Sequence, residues 1–456
     1  MSVRIGIVGL TVAALAAAAV PAMAVTSGVS VYVFPSEGLA AASNSALPGS
    51  VGNDFGILLG GYGSDLYRAP GLPGEYWVVT DRGPNNDTVL KDGSAGTGFP
   101  VPTFTPLIMK IKVSGSAAQI TQKIAVQSTK GVGVTGLPNV AGYDSVPTNE
   151  AGVAIAYNVN GLDTEGVVRT KNGDFWLVDE YAPSIVQVGP DGVVKKRIVP
   201  EGWKGTGAAY PISATLPGIL LTRKANRGFE GVALSPSEKY LFIGLQSPLL
   251  NPDKKTGDAS LQTRILRMDL AKGTIDGEWV YRFEAPATVD PSTTKTTELK
   301  LSAMVALDDS RMLVQERTDN AFLVAQVTLS PGQSILGTSY DSLTTTPSME
   351  SLKPTDSNIV ALMPFKSVIF QSSSVPEMPK KVEGMAVENS NTLAFINDND
   401  FSFAYDAKSG KITPTGVPTQ FLYVTLAAPL PTTPDAEARA LAKAAALAAK
   451  SSVAAS

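Results

Sequence analysis

The chain has 456 residues, of which 44% are hydrophobic and 17% are charged, and its formal net charge is −4. This size and composition allow one large domain or two to three smaller ones, and the absence of a basic surplus argues against nucleic-acid binding. The sequence contains no cysteine and no histidine. These two absences exclude disulfides, thiolate nucleophiles, Ser-His-Asp triads and metal sites with Cys or His ligands.

The two ends of the chain differ from the body. Arg4 precedes a nearly unbroken apolar run over residues 5–20, and Ala22-Met23-Ala24 fits small-x-small cleavage, so residues 1–24 are predicted to be a signal peptide. We therefore expect a periplasmic or secreted protein with no membrane span after cleavage. Residues 429–456 are rich in Pro and Ala, which predicts a C-terminal tail, helical or frayed.

Residues 25–428 between these ends are predicted to form one all-β domain. Short segments rich in Val, Ile, Phe, Tyr and Trp alternate with Gly, Pro, Asn and Asp, as strands alternate with turns. Long amphipathic helical patterns are hard to find before the tail. The clearest strand candidates are residues 75–80, 175–178, 185–188, 240–245, 312–314 and 392–396.

An internal repeat favours a β-propeller among the all-β folds. Each copy reads as a strand, a tight turn and a second strand that ends in polar residues. Four clear copies cover residues 165–180, 230–246, 303–317 and 383–398, and a weaker copy covers residues 64–82. A sixth blade is expected from residues 107–160. We therefore predict six blades with long inter-blade insertions, with five or seven blades as alternatives.

This repeat also predicts where polar side chains meet. If the first strand of each copy is the innermost of its blade, its first residue lies at one rim of the central channel. The end of the next, antiparallel strand returns to the same rim. The residues expected to converge there are Asp81, Glu165, Asp179, Glu180, Glu230, Gln246, Glu316, Glu383 and Asp398.

Several carboxylates at one rim need compensation. Two unit charges about 6 Å apart repel by roughly 2.8 kcal/mol at an effective dielectric constant of about 20. Arginines next to these acids could offset this cost, and so could Ca²⁺, which takes six to eight oxygen ligands. The predicted Ca²⁺ ligands are Glu165, Asp179, Glu230, Glu383 and Asp398. Turn chemistry and Arg-carboxylate pairs that lock blades together are the competing structural interpretation.

The same segments resemble a known family. They are Asp81-Arg82-Gly83-Pro84, Asp163-Thr164-Glu165-Gly166, Asp179-Glu180-Tyr181, Asn226-Arg227-Gly228-Phe229-Glu230-Gly231, Gln246-Ser247-Pro248-Leu249, Glu316-Arg317, Glu383-Gly384-Met385 and Asn397-Asp398-Asn399-Asp400. Their order is similar to that in the bacterial phytase-like family, often labelled "esterase-like activity of phytase", over about residues 50–425. The resemblance implies an exported β-propeller and a phosphoester-hydrolase activity.

Residues and resemblance together predict a metal-assisted hydrolase of phosphate or carboxylate esters. Arg82, Arg227 and Arg317 would bind the anionic group of a small-molecule ester, and Glu180 or Glu316 would act as the general base. One alternative is a non-catalytic propeller that binds a small ligand, a glycan or an envelope protein. A second alternative is a single-metal hydrolase of the lactonase type. The oligomeric state stays open.

Overall fold

The structure, a computed structural model, describes residues 25–353, 355–406 and 411–430. The predicted signal peptide (residues 1–24) and residues 431–456 of the predicted tail lie outside the described residues. Within the described part of the chain, no helix is both long and apolar enough to cross a membrane.

The described residues form 28 strands, numbered here in chain order. The first ten are β1 (Val25–Val33), β2 (Tyr67–Arg68), β3 (Glu75–Val79), β4 (Asn86–Val89), β5 (Ala95–Gly98), β6 (Leu107–Ser114), β7 (Ala117–Ala125), β8 (Gln127–Thr129), β9 (Val132–Gly133) and β10 (Val146–Thr148). The next nine are β11 (Thr164–Arg169), β12 (Phe175–Asp179), β13 (Ser184–Val188), β14 (Val194–Pro200), β15 (Ile212–Leu216), β16 (Phe229–Leu234), β17 (Tyr240–Leu245), β18 (Gln262–Asp269) and β19 (Thr274–Arg282). The last nine are β20 (Lys300–Ala306), β21 (Arg311–Arg317), β22 (Phe322–Thr328), β23 (Phe365–Gln371), β24 (Val382–Asn389), β25 (Thr392–Asn397), β26 (Phe403–Asp406), β27 (Lys411–Pro414) and β28 (Gln420–Leu426).

Helices are short and lie in the connections between strands. The α-helices are α1 (Leu39–Ala46), α2 (Lys254–Ala259), α3 (Pro286–Val289) and α4 (Ser357–Leu362). The 3₁₀ helices are Gly218–Thr222, Thr296–Glu298, Pro331–Gln333, Ser339–Asp341, Met349–Ser351, Ser372–Ser374 and Asp400–Ser402.

Five sheets of four or five strands make up most of the described residues. In hydrogen-bonded order they are sheet I (β2-β3-β6-β7), sheet II (β11-β12-β13-β14-β15), sheet III (β16-β17-β18-β19), sheet IV (β20-β21-β22-β23) and sheet V (β24-β25-β28-β1). Neighbouring strands are antiparallel except for the β14–β15 pair. The remaining small sheets are β10-β5-β4, β8-β9 and β26-β27.

The first strand of each sheet, here called the inner strand, contacts the inner strands of two other sheets. These contacts run from β2 to β11, β16, β20, β24 and back to β2. Apolar side chains fill the space between successive sheets; Trp279 of sheet III and Val314 of sheet IV share one cluster, for example. The sheets therefore surround a common centre, as in a β-propeller. Strand β1 pairs with β28, so both ends of the described chain contribute to sheet V.

The structure is mostly β, as predicted, and contains all six strand candidates, which are β3, β12, β13, β17, β21 and β25. The region expected to provide a sixth blade is organised differently. Its first two strands, β6 and β7, are the outer half of sheet I, and residues 126–160 contribute only the short strands β8, β9 and β10. Sheet I needs β6 and β7 because β2 and β3 alone would form a two-stranded hairpin, which is at best marginally stable.

Candidate functional site

Three glutamates occupy equivalent irregularities in three inner strands. In sheet II the pairing passes from Thr164↔Asp179 directly to Gly166↔Val178, which leaves Glu165 without a partner across the ladder. The same shift leaves out Glu230 in sheet III and Glu383 in sheet V. A β-bulge of this kind re-aims the side chain of the extra residue. One carboxylate oxygen from each of these three buried residues lies within 4.8 Å of the others.

The glycine after each glutamate is required by the close approach of neighbouring inner strands. A Cβ atom on Gly231 would lie 2.3 Å from the backbone oxygen of Ser302 in the next sheet. A Cβ atom on Gly166 would lie 2.9 Å from the backbone oxygen of Glu230. In each Glu-Gly pair the glutamate is therefore the bulged residue, whose side chain points toward the other glutamates. The glycine occupies a position where no larger residue fits.

Sheet IV places a serine where sheets II, III and V place glutamate. Ser302 lies in the irregular part of β20, between Leu301 and Met304. Its hydroxyl donates to Glu230 Oε1 at 3.4 Å and to the backbone oxygen of Glu383 at 3.1 Å. Sequence reasoning missed Ser302, although its position just before the third repeat copy was the signal that could have identified it.

A second group of carboxylates shares Glu165 with the first. Asp163, Glu165 and Glu180 also offer oxygens within 4.8 Å of one another, and all three are buried. Gln246 connects the two groups, because its amide nitrogen donates to Glu180 Oε1 at 2.8 Å and also to Glu230 Oε2. Its Oε1 atom is buried and has no hydrogen-bond partner among the described residues. Sequence reasoning identified Gln246 but missed Asp163 as a member.

Arginines neutralise part of this acidic centre. Arg317 Nη2 lies 3.0 Å from Glu230 Oε1 and 2.5 Å from Glu383 Oε1. Arg82 Nη1 lies 3.0 Å from Asp163 Oδ2, and Arg82 also donates to Asn226. Both arginines therefore lie at the centre, as predicted, and each already holds a carboxylate there.

Two carboxylates in the centre lack such a partner. Within the described ranges, no Lys or Arg nitrogen lies within 4.0 Å of Glu165 or Glu180, whose residues are only 8% and 2% exposed. Burial, together with the charges of neighbouring acids, raises the pKa of both groups well above the usual range. The centre as it stands must hold either a proton or a bound cation at these side chains.

Asp179 lies outside this centre although it was predicted to bind the metal. Its Oδ2 atom is 2.6 Å from Arg197 Nη2 and accepts from Ser184 Oγ at 2.5 Å inside sheet II. Adjacent residues of extended chain point to opposite sides, so Glu180 reaches the centre and Asp179 does not. Burial raises the pKa of Asp179 to about 6 despite the Arg197 charge.

Glu316, predicted as a possible base, also lies elsewhere. Its Oε1 atom accepts from the Tyr281 hydroxyl at 2.6 Å and from Lys366, and its Oε2 atom accepts from the Glu284 amide at 2.7 Å. The same alternation explains this placement, because Arg317, the next residue of β21, faces the acidic centre. The Glu316 contacts connect sheets III and IV.

Asp398 lies beside the centre without joining either carboxylate group. It is buried, and burial raises its pKa to about 7, although the charge of Lys381 opposes this. Lys381 Nζ is 3.7 Å from Asp398 Oδ2. Asp81 is close enough for the Asp398 charge to help raise the Asp81 pKa, which burial already raises well above the usual range.

Arg227 is the predicted arginine with the fewest charged partners. It donates to Ser247 Oγ at 3.1 Å and to the backbone oxygens of Leu299 and Thr297 at 3.4 and 3.3 Å. In the described part of the chain no carboxylate lies within 4.0 Å of it, although the Glu180 charge acts on it. Burial lowers the pKa of Arg227. Its guanidinium therefore has only neutral hydrogen-bond partners in the described part of the chain, while the charges of Glu180, Glu230 and Asp319 act on it without direct contact.

Fold and site together define a mostly β, propeller-like protein with a buried acidic centre surrounded by basic side chains. A family model described as "Phytase-like: Esterase-like activity of phytase" matches residues 57–401. The chain belongs to this family, and the resemblance seen in the sequence is confirmed.

A curated protein and several solved structures are also similar to this chain. A protein named "Uncharacterized secreted protein" from Arthroderma benhamiae is 24% identical over 335 residues, which cover 62% of this chain and 64% of that protein. The chain thus spans about 64% of the length of this curated relative. Among solved structures, a luciferin-regenerating enzyme is 10% identical to this chain and has a TM-score of 0.34. The match covers 82% of this chain and 95% of that enzyme. The gluconolactonase XC5397 from Xanthomonas campestris has 9% identity, 90% and 98% coverage, and a TM-score of 0.29. Scores this low carry no argument about function.

Proposed function

We propose that this protein is an exported, five-bladed propeller hydrolase that cleaves phosphate or carboxylate esters with a Ca²⁺ ion at the acidic centre. The observation that carries the proposal is the presence of Glu165 and Glu180, two buried carboxylates with no ion-pair partner among the described residues, inside two groups of converging acids. The five sheets and the cyclic contacts of their inner strands support five blades. The signal-like residues 1–24 and the secreted relative support export.

The residues present fit a divalent cation. Glu165, Glu230 and Glu383 carry three negative charges when ionised, and Arg317 supplies one positive charge, so a divalent cation would balance the group. Carboxylate oxygens are the ligands that Ca²⁺ prefers, together with neutral amide or carbonyl oxygens. The unpartnered Oε1 atom of Gln246 is a buried oxygen of the second kind. When bound, Ca²⁺ would polarise the ester and lower the pKa of an attacking water.

The side chains around this position supply the remaining functions. Glu180 would act as the general base; its Oε1 atom is held by Gln246, and its Oε2 atom would take the proton of the attacking water. Arg82 and Arg227 would bind the anionic group of the ester. Arg317 would orient Glu230 and Glu383. Asp179 and Glu316 have no part in the reaction, because partners in their own sheets hold them.

The proposal is tested with four substrates: p-nitrophenyl phosphate, p-nitrophenyl acetate, phytate and a lactone. Purified protein should turn over at least one of them with Ca²⁺ and lose this activity with EDTA. Replacing the base in Glu180→Gln should lower the rate about 100-fold or more. Glu238→Gln, at the opposite end of the channel, is the matched control and should keep the parental rate.

Metal content gives an independent readout. Mass spectrometry of protein purified without chelator should find calcium, and Glu165→Gln should lower its amount while circular dichroism stays unchanged. Folded, calcium-loaded protein that turns over none of the four substrates would overturn the hydrolase and favour a binding propeller. Turnover of the lactone alone would favour the lactonase type.

A further inference from the structure

A second charged cluster lies directly beside the acidic centre and was not identified from the sequence. Lys300 Nζ is 2.8 Å from Asp319 Oδ1, and Arg317 Nη1 is 3.3 Å from the same oxygen. Arg227 packs against residues 297–299, immediately before Lys300, through two backbone oxygens. Two basic side chains therefore contact the Asp319 carboxylate, and the third, Arg227, is close enough for the Asp319 charge to raise its pKa against the lowering effect of burial.

The burial of these partners is unequal. The Arg317 and Lys300 side chains are 2% and 16% exposed, whereas the Asp319 side chain is 60% exposed. Asp319 belongs to the tight turn between β21 and β22, where the Thr318 amide donates to the Ala321 oxygen. The buried Arg317 and the half-buried Lys300 thus share a counter-ion that solvent can reach and that a side-chain rotation can remove.

The three basic side chains differ in their acidic contacts. Glu230 and Glu383 pair with Arg317, and Asp319 is the carboxylate that contacts Lys300, while Arg227 has only neutral hydrogen-bond partners within the described ranges. Although partial burial opposes ionisation, Lys300 and Arg317 lower the pKa of Asp319 to about 2. The cluster therefore binds a carboxylate strongly, and Arg227 is the member whose guanidinium has no carboxylate in direct contact in the described part of the chain.

We propose that Lys300, Arg317 and Arg227 form an oxyanion-binding subsite, and that the Asp319 carboxylate is an exchangeable occupant that the phosphate or carboxylate group of a ligand replaces. This inference rests on the proposed function and deepens it, since it adds Lys300 and Arg317 Nη1 to Arg227 as groups that bind the anionic group of the ester, while Arg317 Nη2 holds Glu230 and Glu383. Anion binding itself requires neither turnover nor a metal.

An internal occupant has a defined effect on affinity. A ligand that binds only when Asp319 has moved away can bind only the fraction of molecules in which the subsite is open. Its apparent affinity is the intrinsic affinity multiplied by that fraction. Removing Asp319 should therefore strengthen anion binding. Removing Lys300 should weaken it, because the bound anion then loses a hydrogen bond between charged groups.

Inorganic phosphate is a direct probe, with binding to the full chain measured by isothermal titration calorimetry in EDTA. We expect Asp319→Ala to bind phosphate about fivefold or more tightly than the parent. Adding Lys300→Met to Asp319→Ala should weaken binding at least about tenfold. The matched controls are Asp87→Ala and Lys130→Met, which remove an exposed acid on β4 and an exposed lysine between β8 and β9. Both should leave phosphate affinity as in the parent.

The outcomes are distinct from those of the hydrolase test. If Asp319→Ala binds phosphate no more tightly than Asp87→Ala, the exchange is wrong. If adding Lys300→Met to Asp319→Ala weakens phosphate binding no more than adding Lys130→Met does, the subsite is wrong. Should Asp319→Ala lose the native circular dichroism spectrum, Asp319→Asn repeats the test with a side chain of the same shape. Phosphate binding without turnover of any ester would contradict the hydrolase and leave this subsite standing.

Discussion

The two ends of the central channel are built from the same inner strands and have opposite chemistry. At one end, β11, β16 and β24 contribute Glu165, Glu230 and Glu383. Further along these strands, the side chains line an apolar cavity of about 110 Å³, with Val167, Val232 and Ala386 among its walls. At the acidic end all three strands carry a β-bulge at the glutamate, which re-aims its side chain.

This difference shows how a local irregularity in otherwise regular strands can create a charged site. At the apolar end the strand pattern simply buries hydrophobic side chains, and the ion pairs there lie at the rim, as Arg68 with Glu388 at 2.8 Å. At the acidic end one extra residue per strand brings charges together, and Arg317 must then hold two of them. If this account is correct, removing a charge partner at the acidic end should lower the free energy of unfolding more than removing one elsewhere.

Removing Arg317 should have the largest effect. Arg317→Met would leave Glu230 and Glu383 buried without their cation, and breaking a buried ion pair in this way costs about 3–5 kcal/mol. Urea unfolding followed by circular dichroism measures this loss. Added Ca²⁺ should raise the melting temperature of the variant more than that of the parent, because the acidic centre would then carry one more uncompensated negative charge.

Lys123→Met provides the matched control for this prediction. It also removes a cation from a carboxylate, since Lys123 Nζ lies 2.7 Å from Glu37 Oε2, but both side chains are partly exposed. Such pairs contribute about 1 kcal/mol or less. Equal losses in the two variants would show that the acidic centre is not held together by Arg317.

Asp65 lies where the two ends meet, and it should make stability depend on pH. It lines the apolar cavity, and burial, with a contribution from the Glu230 charge, raises its pKa to about 8. Between pH 4 and pH 8 the folded protein therefore holds a proton that the unfolded chain has lost. Stability then falls as pH rises, by about 1.4 kcal/mol per pH unit.

Asp65→Asn removes this titration. Relative to the parent, the variant should gain about 3 kcal/mol in free energy of unfolding between pH 5 and pH 7, whatever constant offset the substitution brings. Asp319→Asn is the control, because the pKa of Asp319 is lowered to about 2 and its contribution does not change over this range. A parallel pH dependence of the parent and Asp65→Asn would contradict the assignment.

Sequence reasoning predicted the acidic centre better than its individual members. The recurring Glu-Gly pairs identified Glu165, Glu230 and Glu383. A glycine where two strands approach closely and a polar residue at a strand end can both be recognised in a single amino-acid sequence. Asp179 and Glu316 were included because sequence spacing does not show on which side of a strand each residue lies. Lys300 and Asp319 were missed because their pairing depends on a turn whose position only the folded sheets define.

Gly231 offers the most local test of the bulge geometry and should give the smallest effect. In Gly231→Ala the new Cβ atom would lie 2.3 Å from the Ser302 backbone oxygen, and backbone cannot move aside as a flexible side chain can. Overpacking of this kind costs about 1–3 kcal/mol. Gly332→Ala is the matched control, since a Cβ atom there meets nothing within 4 Å, and it should change the free energy of unfolding by about 0.5 kcal/mol or less. If both substitutions are equally tolerated in urea unfolding, the inner strands do not approach as closely as the Glu-Gly pairs require, and the convergence of the three glutamates loses its structural basis.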